Sequence, residues 1–200
     1  GYGSFKRKAT GTNSTTAAWI VDFSKNNNPQ DIKHVFFAES AYDIMAFYQA
    51  NKAKLQGELD KSVFVSIGGT FSNQQVAGIM NYYSHARAVD CFDNDIPGRI
   101  YGMRMVGVVE KVPLSINLHD KMIDVNYNGV THILDAETAN LHSLRSIIPF
   151  KREYGIEKAP AAFKDWNDVI QNKPSTIILS KNKYERDENL RERRTGGIKM

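Results

Sequence analysis

The chemistry in this sequence centres on Asp93 and Asp95, in the run Asp93-Asn94-Asp95-Ile96-Pro97-Gly98. Carboxylates two apart in extended chain point the same way and can reach one ion together. Hard cations such as Mg²⁺ require oxygen ligands and keep positions open for phosphate oxygens. Two carboxylates this close repel each other unless a cation or donors offset them. Pro97-Gly98 then turns the chain into a helix whose N-terminal amides could face an anion. The competing reading is an exposed turn followed by a helix cap, because Asp and Asn are common turn residues.

Glu39 is the second candidate, closing the apolar run His34–Ala38 (HVFFA). It is either part of a site or a carboxylate favouring the dipole of the helix that follows. Asp43, one turn along that helix, could face the same edge. Gly68-Gly69 follows another apolar run and either lets backbone approach phosphate or makes a plain turn. In Lys164-Asp165-Trp166-Asn167-Asp168, Asp165 is a further acid or a helix cap. Lys164 contacts phosphate or is solvated, and Trp166 packs on the core. The histidines (His34, His85, His119, His132 and His142) share no metal-ligand spacing, and there is no Walker-type loop or kinase signature.

These residues must be positioned by regular elements. Strands are expected at Ala17–Phe23, His34–Ala38, Lys61–Ile67 and Ala86–Phe92, and a turn at residues 24–31. Helices are expected from Ser40, over Asn73–Tyr83, and from beyond Gly98 through Val109. Short apolar strands alternating with helices imply a mostly parallel sheet with helices on its faces and right-handed crossovers. In such sheets functional groups gather past the carboxyl ends of the strands. Glu39, Gly68-Gly69 and Asp93 each fall at such an end, so separate strands deliver them to one edge. Met122–Leu134 reads as a β-hairpin turning at Asn128-Gly129. Ala136–Ile148 reads as a helix, and another helix starts near Asp165. The expected organisation is a lead-in with a strand (residues 1–30), an α/β domain (31–175) with an insertion at 112–160, and a charged tail (176–200).

Composition permits a globular fold: 42% of the 200 residues are hydrophobic. A net charge of +4 permits a nucleic-acid partner without requiring one. The lone cysteine, Cys91, allows no disulfide within the chain and fits a reducing cytoplasm. No segment has the length of a membrane span or the pattern of a signal peptide. The abrupt start at Gly1 suggests a fragment of a longer protein.

Four segments together resemble the Toprim family, the catalytic fold shared by bacterial primases, topoisomerases and some nucleases. They are Val35–Asp43 (VFFAESAYD), Val65–Thr70 (VSIGGT), Ala88–Gly102 (AVDCFDNDIPGRIYG) and Lys164–Ile170 (KDWNDVI). The last is most similar to the primase-like subgroup of plasmids and mobile elements. The resemblance implies that Glu39 is an acid/base or metal-coordinating glutamate and that Asp93 and Asp95 bind metal, with Asp43 and Asp165 as accessory acids. It also implies Mg²⁺, with Mn²⁺ as a substitute, and DNA or RNA with nucleoside triphosphates as partners, beside other domains or replication and mobilisation proteins. Gly68, Gly69, Arg99, Arg104 and Lys164 would then hold phosphate. The implied activity is nucleotidyl or phosphoryl transfer in a DNA primase-like protein. A nicking nuclease and a non-catalytic docking or DNA-binding module are the alternatives. The chain departs from the family at Ser40, where a glycine is common, and at Asn167, where a replicative primase has an acid.

Overall fold

The structure, a computed structural model, describes residues 13, 15–26 and 28–175. The first part of the expected lead-in and the charged tail at 176–200 lie outside the described residues.

The central sheet has five strands: β1 (Trp19–Asp22), β2 (His34–Ala38), β3 (Ser62–Ser66), β4 (Arg87–Asp90) and β8 (Gly155–Ile156). Their order is β1-β3-β2-β4-β8. β2 runs parallel to β3 and β4, and β4 runs parallel to β8. Only β1 is antiparallel, at the β3 edge. The helices between these strands are α1 (Ala41–Leu55), α2 (Asn73–Tyr82) and α3 (Ile96–Glu110). α5 (Trp166–Ile170) lies near the end of the described chain.

The continuous apolar strands are explained by cores on both faces. Val35, Phe37, Val63, Val65 and Ala88 point into a core shared with Val76, Ile79 and Met80 of α2 and Met103 and Val106 of α3. Phe36, Ala38, Phe64 and Val89 point the other way, onto Ile44 and Phe47 of α1 and Trp166 of α5. Alternate residues along a strand face opposite sides, so burial on both sides requires an apolar residue at each step. The mostly parallel α/β architecture read from the sequence is therefore the observed one.

Beyond α3 the chain makes a three-stranded antiparallel sheet, β5 (Leu114–His119), β6 (Met122–Tyr127) and β7 (Val130–Asp135). The expected hairpin is present, with positive φ at Asn128 (51°) and Gly129 (79°). The sequence reading did not include β5, which pairs with β6 through a tight turn at Asp120 (φ 54°). Ile123 and Val125 join the core on the α2/α3 face.

The helix expected over Ala136–Ile148 is short: α4 spans only Leu141–Arg145. Asn140 is extended, and its side chain accepts the N–H groups of His142 and Ser143, so the helix begins there. Further along, β8 joins the main sheet from within the stretch expected to be an insertion.

Candidate metal centre

The carboxyl ends of β2 and β4 lie side by side, which places Glu39 next to the Asp93–Asp95 loop. One oxygen from each of Glu39, Asp93 and Asp95 lies within 4.8 Å of the others. A second group, Asp43, Asp93 and Asp165, meets the same limit and shares Asp93. All five acids named from the sequence therefore converge. Neither group contains a histidine.

Local structure fixes each acid. Ser40 caps α1, its Oγ accepting the Asp43 N–H at 3.2 Å and its hydroxyl donating to Asp43 Oδ2. Ser40 thus orients the second acid. The Glu39 carbonyl accepts the Gly69 N–H at 2.8 Å, which ties the β2 end to the glycine turn. Gly68 and Gly69 have φ of 73° and 80°, a region that costs other residues steric strain. Asp165 caps α5 by accepting the Asp168 N–H at 2.8 Å. Asp165 is therefore the helix cap, and its carboxylate also lies beside Asp43 and Asp93.

Asp95 caps α3, with Oδ1 accepting the Gly98 N–H at 2.9 Å, while its carbonyl takes the Arg99 N–H. Pro97 has no N–H to offer. Asp95 thus takes two of the amides at the helix start that the sequence reading offered to an outside anion. α3 can sit so close only because of its glycines. A Cβ on Gly98 would lie 2.3 Å from the Asp93 carbonyl oxygen, and one on Gly102 would lie 2.3 Å from Asp90 Oδ2.

The electrostatics are those of an under-neutralised site. Asp93 is 5% exposed, and its Oδ1 is buried with no hydrogen-bond partner among the described residues. Glu39 Oε1 is in the same condition. Burial, then the charges of Asp93 and Asp95, push the Glu39 carboxyl up to about 7. Burial pushes Asp93 up to about 6, against the pull of Lys164. Asp43 is raised as well, chiefly by burial. Lys164 Nζ lies 2.9 Å from Asp93 Oδ2 and 3.2 Å from Asp95 Oδ2. Burial opposes its charge, but the bonds to Asp93 and Asp95 outweigh burial and raise its pKa. In this structure Lys164 is thus a partner of the acids.

Arg99 lines a small cavity with Asp90 and Asp93, but among the described residues neither it nor Arg104 is paired with a carboxylate. Arg99 donates to the Ala139 carbonyl at 3.3 Å. Arg104 lies over the Phe71 ring at 4.8 Å and reaches Asn73. The sequence reading missed the residues that brace the loop. Asn94 donates through its side chain to the carbonyls of Ala159 (2.9 Å) and Phe163 (2.8 Å), and its N–H bonds to the Lys164 carbonyl. Asp90 is buried at the end of β4 and paired with Lys158 at 2.6 Å. An acid inside an apolar strand was a visible signal that a partner was needed, but nothing local pointed to Lys158.

An all-oxygen donor set, two orphaned buried carboxylate oxygens and raised carboxyl pKa values fit a hard divalent cation. The fold and this acidic edge define an α/β domain with a candidate divalent-metal centre. A family model described as Toprim-like matches residues 36–128, and over that span the chain carries a Toprim-like domain. The matched span contains Glu39, Asp43, Asp93 and Asp95, whereas Lys164 and Asp165 lie beyond it. No curated protein and no solved structure matches the chain. Among the described residues, no helix is long and apolar enough to cross a membrane.

Proposed function

We propose that this chain is the metal-dependent nucleotidyl- or phosphoryl-transfer module of a DNA primase-like protein acting on nucleic acid. The observation that carries this reading is the pair of orphaned buried oxygens, Glu39 Oε1 and Asp93 Oδ1, within a cluster of carboxylates. Glu39, Asp93 and Asp95 would hold a Mg²⁺ or Mn²⁺ ion, with Asp43 and Asp165 as accessory ligands. When bound, the ion supplies charge stabilisation for a phosphate undergoing in-line displacement.

The chain's own groups do the rest. If Asp93 and Asp95 hold the ion without it, Glu39, whose carboxyl burial raises to about 7 in the metal-free chain, can instead accept a proton from an attacking hydroxyl and return it to a leaving group. Gly68 and Gly69 leave room for a phosphate beside the acids, and Lys164 offers an ammonium at the same place. A cleft of ≈ 410 Å³ opens beside Asp95 and Lys164, lined also by Asn94, Pro97 and Glu137. Arg99 and Arg104 would follow the backbone of a longer strand. In this reading residues 31–175 form the functional unit, with 1–30 as lead-in and 176–200 as a basic tail.

One observation favours the alternative, a non-catalytic docking module: Lys164 already offsets Asp93 and Asp95. Calorimetry with Mg²⁺ and Mn²⁺ on the native chain and on the Asp93→Asn/Asp95→Asn double variant separates the two. Saturable binding that the variant loses supports the transfer reading, and primer-synthesis and nicking assays on the full-length protein then distinguish polymerising from cutting. No binding, even with nucleotide or DNA present, moves the docking module ahead.

A further inference from the structure

The position of Lys164 has a consequence for how the site is loaded. Its ammonium bridges Asp93 Oδ2 and Asp95 Oδ2, oxygens of two proposed metal ligands. Its charge also acts on Glu39 and Asp43, lowering the pKa of each. It therefore stands where part of a divalent ion's charge would be felt. The ammonium is not locked in place. The Lys164 side chain is 49% exposed, against 6% for Asp93, and no contact to a backbone carbonyl anchors its Nζ among the described residues. Lys158 differs on both counts: it is 22% exposed and holds Asp90 and the Phe92 carbonyl together.

Resting on the metal-centre reading, we propose that Lys164 is a tethered cation that competes with the divalent ion for Asp93 and Asp95. It yields those carboxylates when a substrate phosphate draws its ammonium away. Lysine is suited to such an exchange, being a compact charge on a flexible stem that binds either carboxylate or phosphate. A mobile cation shared between acids and phosphate couples the two loading events. Phosphate binding frees carboxylate oxygens for the metal, and by linkage metal binding frees the ammonium for phosphate. The backbone of Lys164 stays in place during this exchange, because its carbonyl accepts the Asn94 N–H at 2.7 Å. The ligand class this implies is a nucleotide or a nucleic-acid phosphodiester.

The test is Mn²⁺ binding by calorimetry to the native chain, Lys164→Met and Lys164→Arg, each with and without a short thymidine oligonucleotide. Without oligonucleotide, Lys164→Met is expected to bind Mn²⁺ about five-fold tighter than the native chain or more, a typical coupling size. Lys164→Arg, which keeps the charge, is expected to stay near native. The oligonucleotide is expected to tighten Mn²⁺ binding to the native chain and to have little effect on Lys164→Met. Thermal melting supplies a second readout: without metal Lys164→Met melts below the native chain, and Mn²⁺ raises its Tm by more. Native binding that Asp93→Asn/Asp95→Asn abolishes but Lys164→Met leaves unchanged or weakens overturns the tethered cation and keeps the metal centre. Absence of Mn²⁺ binding to both the native chain and Lys164→Met overturns the metal centre itself.

Discussion

Asp90 and Asp93 lie three residues apart at the end of β4, and both are buried with carboxyls raised by that burial, yet their partners differ. The Asp90 Oδ1 takes the Lys158 ammonium at 2.6 Å and the Phe92 N–H at 3.0 Å, and the bare backbone of Gly102 makes room for Oδ2. Asp93 has a half-exposed lysine on one oxygen and nothing on the other. Leaving a buried polar atom unpaired costs roughly 1–3 kcal/mol. Asp90 thus gathers two donors on one oxygen, whereas Asp93 keeps a fully buried oxygen with no partner among the described residues, at a cost to the fold. Glu110 supports the first half of this contrast. It is buried far from the acidic edge and accepts from the Tyr154 hydroxyl and the N–H groups of Lys151 and Arg152.

The contrast can be broken most directly at Asp90. Asp90→Ala strands Lys158 beside an apolar core and is expected to cost about 3 kcal/mol in urea unfolding, near the lower end for a broken buried pair. A loss under about 0.5 kcal/mol, the range of ordinary surface changes, would show that this pair is not structural.

Gly102→Ala comes next, because its Cβ would sit 2.3 Å from Asp90 Oδ2. The overpacking is expected to cost about 2 kcal/mol by the same measurement. Native stability in this variant would mean that Asp90 can turn aside without penalty.

At the acidic edge the sign reverses. Glu39→Gln removes a carboxylate that burial and two acidic neighbours oppose. Without divalent ions at alkaline pH it is expected to raise stability by roughly 1 kcal/mol, while weakening Mn²⁺ binding. A variant less stable than the native chain would place Glu39 among the structural acids.

The smallest effect is a slope with pH. Folded Glu39 and Asp93 titrate near 7 and 6, above their ordinary values of 4.5 and 3.8. Between the ordinary and folded values the folded state binds more protons than the unfolded one. The stability these groups contribute is thus complete at acid pH and is lost as pH rises through about 6 and about 7. Melting temperatures in chelator across that window should fall more steeply for the native chain than for Glu39→Gln. Mn²⁺ affinity should climb over the same window, since metal ligands must be deprotonated. Parallel melting slopes would mean that Glu39 is ionised on both sides of the window.

Much of the architecture was legible because local patterns and tertiary demands agree. The runs HVFFA and SVFVS are apolar at nearly every position because cores press on both faces of the sheet. Ser40, Ser72, Asp95 and Asp165 mark helix starts by offering an oxygen to the N–H three residues on. β8 was not legible, since two residues paired with Val89 and Asp90 leave no periodicity. β5 carried Leu114, Ile116 and Leu118 in alternation with polar residues, the period of a half-buried strand, which the sequence reading did not use. The run Ala136–Ile148 has helical composition, but Asn140 takes the first amides of α4 and confines the helix to Leu141–Arg145.

The sequence by itself determined which acids stand at strand ends and helix caps, because strand period and cap chemistry act over a few residues. It thereby placed Glu39 and Asp93 on one edge with the Asp95 loop, whereas Asp43 was left open and Asp165 joined the set only through the family resemblance. Only the tertiary structure decided which carboxylates are satisfied. Lys158 reaches Asp90 from 68 residues away, and Lys164 reaches Asp93 from 71 residues away. Burial and unpaired oxygens belong to the packed molecule, because both arise when distant segments exclude water from a carboxylate.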